Sequence, residues 1–105
     1  MNNYKIAWHV RQYVKAELMD YKTNKRLLNQ LQGNTRALLL AEKRLASIEK
    51  VLGSLNEEEA EIADIIFNKH MTQAGAEVGY NVSKAMYYNA MNKTIYLVAK
   101  EMELI

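Results

Sequence analysis

Two helix-capping residues, Thr72 and Ser83, flank a turn residue, Asn81, and this arrangement constrains the chain more than any other feature. The stretch from Met71 to Asn89 reads as a short helix opened by Thr72, a tight turn, and a second helix opened by Ser83. Two such short helices cannot bury a core between themselves, so the rest of the chain must supply one. Cap, turn and cap in this order are the grammar of a helix-turn-helix, a unit that sets its second helix in a DNA groove.

The side-chain pattern fits that grammar. Ala76 is small and lies inside the first helix, Tyr80 ends it, Val82 enters the second, and Tyr87 anchors it one turn after the Ser83 cap. Lys84, Ala85, Tyr88, Asn89 and Asn92 are left on the outer side. Asparagine can bond an adenine edge in two places, lysine can reach guanine or phosphate, and alanine or a tyrosine edge can meet a thymine methyl. The expected DNA-facing set is therefore Thr72, Ser83, Lys84, Ala85, Tyr88, Asn89, Asn92 and Lys93. Ordinary helix packing produces the same cap-turn-cap pattern. Under that reading Lys84 and Lys93 are solvating charges and Tyr88 packs. Tyr87 and Met91 belong to the core under either.

Around this unit the sequence is helical throughout. It has no proline, and residues of high helix propensity are abundant. From Tyr4 to Leu31 neither glycine nor proline interrupts it, and Ile6, Val10, Val14, Leu18, Tyr21, Leu28 and Leu31 recur at helical spacing. This predicts one long amphipathic helix of roughly seven turns. Such a stripe needs a partner, either a second helix of the same chain in an antiparallel hairpin or another copy, and these residues are the expected oligomerisation seam. Gln32-Gly33-Asn34 breaks the pattern, and Asn34 or Thr35 opens a helix carrying Leu38, Ala41, Leu45, Ile48, Leu52 and Leu55. Asn56 and Glu59 form an expected capping box, which accounts for the acids Glu57, Glu58 and Glu59 without catalysis. The fold class is all-α. An arm over 1–52, expected to oligomerise through its stripe, precedes a reading domain over 53–105.

Charge divides the same way. Residues 1–50 carry ten lysines and arginines against four acids, a net +6, whereas residues 51–105 carry four lysines against eight acids, a net −4. The reading helices thus sit in the acidic half, although affinity for a nucleic-acid backbone comes mainly from lysine and arginine near phosphates.

From about Ile48 to Ala99 the chain resembles the region-4-type helix-turn-helix of sigma-like factors, in the version found in phage regulators of the RinA and ArpU families. The resemblance is carried by Leu55-Asn56-Glu57-Glu58-Glu59 before Ile62, Ile65, Ile66 and Phe67, then by Met71-Thr72, Ala76-Glu77, Tyr80-Asn81 and Val82-Ser83. Met86-Tyr87-Tyr88-Asn89 and Lys93-Thr94-Ile95 close the series. The segments Tyr13–Tyr21 and Lys43–Leu52 look similar to the family's N-terminal helices. The resemblance implies double-stranded DNA as partner, activation of late or packaging genes of a phage or prophage, and contact with the host RNA polymerase. Three positions depart from the family pattern. Glu77 replaces a small alanine at the turn, Asn89 replaces an arginine, and Val78-Gly79 replaces polar residues.

Other chemistry is not signalled. There is no cysteine, His9 and His70 lie far apart without a carboxylate pattern, and no nucleophile-base set assembles. No catalytic residue, metal or cofactor is expected, and the chain is not expected to be an enzyme. Its apolar runs are far shorter than the roughly 20 residues that span a bilayer, and no signal peptide is evident, so a cytoplasmic location is expected. The rival reading is a helical interaction protein that binds a sigma factor, polymerase or toxin through the N-terminal stripe, with Trp8 and Tyr13 as anchors.

Overall fold

The computed structural model of the chain describes residues 4–30 and 36–105, and among these it is all-α, without a strand. The helices are α1 (Trp8–Met19), α2 (Tyr21–Gln30), α3 (Arg36–Ser54), α4 (Glu57–Ala63), α5 (Gln73–Tyr80) and α6 (Lys84–Glu101). A π-helical turn, Asp64–Asn68, continues α4. Leu31 and the expected break and cap at 32–35 lie outside the described residues.

The single long N-terminal helix is not what forms. The chain leaves helical geometry at Asp20, with φ −97° and ψ 5°, and restarts as α2. Aspartate competes for backbone hydrogen bonds inside a helix. The break also separates two different packing jobs. Val14 and Leu18 of α1 enter the main core, while α2 lies along α3, where Leu28 and Leu38 line one groove and Lys25 bonds Glu49 at 3.2 Å. The Leu28–Leu38 and Lys25–Glu49 neighbours make α2 and α3 an antiparallel pair, so the expected hairpin is realised by α2 alone.

The core is one cluster. Val14 and Leu18 of α1, Ile48 and Val51 of α3, Ile62 and Ala63 of α4, Ala76 of α5 and Ile95 and Val98 of α6 all belong to it. Residues 1–52 and 53–105 therefore do not build separate cores. α6 is the central element, covered by α1, α3, α4 and α5. Its buried residues Tyr87, Ala90, Met91, Thr94, Ile95, Val98 and Ala99 form one stripe. Thr94 is buried without cost in unmet polarity, because its hydroxyl donates to the Ala90 carbonyl at 2.7 Å.

The start of α4 follows the expected capping box. Asn56 accepts from the Glu59 amide at 2.8 Å, and Glu59 accepts from the Asn56 amide at 3.2 Å. The far end was not legible. The π turn closes with the Lys69 amide donating to the Asp64 carbonyl at 3.0 Å, and its wider turn brings Ile65, Ile66 and Phe67 all into the core. His70, at φ 54°, then turns the chain toward α5, and its Nε2 lies 3.0 Å from the Met19 carbonyl oxygen at the end of α1. No described helix is long and apolar enough to cross a membrane.

Candidate nucleic-acid interface

The α5–α6 unit is built by the residues that the sequence nominated. Thr72 caps α5 by accepting from the Gly75 amide at 3.1 Å, and Ser83 caps α6 by accepting from the Met86 amide at 3.1 Å. Between them Asn81 takes the left-handed conformation, φ 56° and ψ 36°. The Asn81 amide bonds back to the Ala76 carbonyl, and the Val82 amide lies 3.3 Å from the same oxygen, so one carbonyl closes the end of α5. Val82 and Ala76 are buried. Tyr87 ties the unit together, since its buried ring fills the core and its hydroxyl donates to the Met71 carbonyl at 2.6 Å. Burial, and then the neighbouring Tyr88, push the Tyr87 phenol above its ordinary pKa.

Two details of the unit depend on its surroundings. Tyr80 does not anchor the end of α5 in the core. It is 47% exposed, and Lys69 donates to its hydroxyl at 3.1 Å while lying 4.7 Å from the ring centre. Val82, two residues on, fills the interior space instead. Glu77 does not open the turn, because its carboxylate points to solvent and accepts from Gln73 Nε2 at 2.7 Å.

Lys84, Ala85, Tyr88 and Asn89 are exposed and Asn92 is half-buried. At about 100° per residue these five fall in one sector of α6 spanning its first turns. Lys93 lies outside it. Its ammonium is 2.7 Å from Glu59 Oε2, an ion pair that pins α6 to α4. This hydrogen bond raises the Lys93 pKa and lowers that of Glu59. Lys93, expected among the DNA-facing residues, is engaged by Glu59 of α4.

The sector has two different flanks. On the α4 side, Glu58, Glu59 and Met86 line a cleft with Asn89 and Lys93, so that edge is acidic. On the other side stands α1, where Arg11 Nη2 donates to Met91 Sδ at 3.6 Å. The rear of the outer face is closed at Tyr96, whose ring lies 5.2 Å from that of Tyr4. Arg11 and Tyr4 were not singled out in the sequence. Nothing local marks Tyr4, while Arg11 stands beside the Val10–Val14 stripe, which is the only signal it carries.

The residues of the expected oligomerisation seam divide. Val14 and Leu18 are fully buried in the chain's own core, and Ile6, Val10 and Tyr21 pack partly against it. Leu28 is half-buried at the α2–α3 groove, and Leu31 lies outside the described residues. Trp8, 73% exposed, and Tyr13 remain on the surface, as do Leu27, Leu39 and Leu40. Among the described residues no group of His, Asp or Glu is arranged to hold a metal. No protein-family model, curated protein or solved structure matches the chain.

Proposed function

We propose that this chain is a sequence-specific DNA-binding transcriptional regulator in which α5 and α6 act as a helix-turn-helix of the sigma region-4 type. The observation that carries the reading is the sector Lys84, Ala85, Tyr88, Asn89 and Asn92, displayed on the first turns of a helix whose N-terminus is open and capped by Ser83. Backbone amides at such an N-terminus suit a phosphate, and the sector offers donors and acceptors of base-reading type. Exposed Asn89 and half-buried Asn92 are poor helix formers on the outer side of α6, which favours a role in recognition. Following the RinA and ArpU resemblance, the regulated genes are phage or prophage late genes and the working partner is RNA polymerase.

The regulator acts as a homo-oligomer, a dimer being the simplest form for a two-fold-symmetric site. Support now rests on exposed Leu27, Leu39 and Leu40 rather than on Val14 and Leu18. Light scattering at micromolar concentration should give twice the chain mass, and a monomer mass overturns the oligomer.

The alternative is an interaction protein that binds a sigma factor or polymerase without reading DNA. The observation on its side is the acidic pair Glu58 and Glu59 beside Asn89. Selection from a library of random duplexes at moderate salt separates the two. The DNA reading expects one sequence family to be enriched. A folded protein that enriches none supports the alternative.

A further inference from the structure

Resting on the DNA reading, we infer that α1 is a second nucleic-acid contact, and that Arg11 and Lys15 hold the phosphate backbone at the rim of the groove that α6 reads. The α5–α6 half is acidic, and two of its four lysines, Lys69 and Lys93, are paired with Asp64 and Glu59. Duplex affinity needs cations near phosphates, and this half is short of them.

The fold supplies them from the other half. Tyr4 meets Tyr96, Arg11 meets Met91, and Met19 meets His70 just ahead of α5, so α1 runs antiparallel along α6. Met91 lies one turn from Tyr88 and Tyr87, at the border between the buried stripe and the exposed sector. Arg11 therefore stands beside the reading face rather than behind it. Lys15 follows Arg11 by four residues and so lines the same edge one turn nearer the α6 N-terminus. Trp8, three residues before Arg11, exposes its indole along that edge.

The charges there are uncompensated. Among the described residues, the ion pairs engage Lys25, Lys50, Lys69 and Lys93, and neither Arg11 nor Lys15 bonds a carboxylate. Scale fits as well. Packed helices lie about 8–10 Å apart, and the major groove is about 12 Å wide. With α6 in the groove, the side chains on the outer edge of α1 reach its phosphate rim. The opposite rim faces Glu58 and the closed Lys93–Glu59 pair, which offer a phosphate no free cation, so the protein grips one strand more strongly than the other.

The test is the salt dependence of binding to the library-enriched duplex and to a random-sequence duplex. Each lost phosphate contact lowers the slope of log K against log salt by about 0.9. Lys15→Gln should lose about one such step, and Arg11→Gln with Lys15→Gln about two, with affinity falling alike on both duplexes. Asn89→Ala should lose preference for the enriched duplex and keep the slope. Lys25→Gln with Lys50→Gln, which removes equal charge from ion pairs elsewhere, should also keep it. Lys15→Gln is the safeguard, since Arg11→Gln also loses the Met91 contact. An unchanged slope in folded Lys15→Gln and double variants, while both duplexes still bind, overturns the α1 contact and leaves the DNA reading standing. An equal fall in the Lys25 and Lys50 control overturns it too, as a general charge effect. Wild type that binds neither duplex overturns both.

Discussion

Lys93 of α6 reaches Glu59 of α4 at 2.7 Å, and the same Glu59 carboxylate closes the capping box with Asn56. One side chain thus finishes a helix start and fastens that helix to the central one. Glu59→Ala removes both roles and should cost about 1–2 kcal/mol in urea unfolding, whereas Lys93→Met should cost about 1 kcal/mol or less. Duplex binding by folded Lys93→Met should be close to wild type. The pair also sets a pH response. The Glu59 pKa is lowered, chiefly by its hydrogen bond from Lys93, so its contribution is complete above the ordinary glutamate value of about 4.3 and is lost as pH falls through the lower folded value. The Lys93 pKa is raised by the same bond, so its contribution is complete below the ordinary lysine value of about 10.4 and is lost as pH rises through the higher folded value. Glu59→Gln should flatten the acid limb of a stability–pH curve, and an unaltered limb rejects this assignment.

Tyr87 separates packing from recognition. Tyr87→Phe keeps the buried ring but leaves the Met71 carbonyl without its 2.6 Å partner, for a loss of about 1–2 kcal/mol. Tyr87→Ala should lose about 3–5 kcal/mol, as large core truncations do. Thermal unfolding measures both. A Tyr87→Ala protein as stable as wild type is incompatible with this packing.

The turn depends on Asn81 occupying φ 56°. Asn81→Gly fits that backbone and should change stability by only a few tenths of a kcal/mol. Asn81→Val forces a β-branched side chain into the left-handed region and should cost about 1–2 kcal/mol or more. Equal stabilities for the two variants in denaturant titrations contradict the left-handed turn.

Asn89 and Asn92 make the opposite prediction to Tyr87. Replacing either with alanine should leave the melting temperature nearly unchanged and remove roughly 1–3 kcal/mol of discrimination at one or two base pairs. Competition between the enriched duplex and its single-base variants measures this. Discrimination that survives both substitutions places base reading elsewhere.

Much of the candidate site was legible because it is local. Thr72, Ser83 and Asn56 each bond an amide three residues away, so spacing alone reveals them. The outward sector of α6 follows from 100° per residue, and the same arithmetic sets Lys93 about 40° beyond its edge at Asn89. What Lys93 meets there is not local. Glu59 is 34 residues away, and only the packing of α4 on α6 brings them together.

The sequence by itself determined the all-α class, the capped turn, and the residues that α6 turns outward, because these depend on backbone hydrogen bonds and helical period over a few positions. Tertiary structure alone decided that Val14 and Leu18 serve this chain's own core, that the N-terminal helix breaks at Asp20, and that Arg11 stands against Met91 across 80 residues. An apolar stripe states that it must be covered, without naming its cover. The side chains at its edges take their neighbours from whichever helix wins that packing.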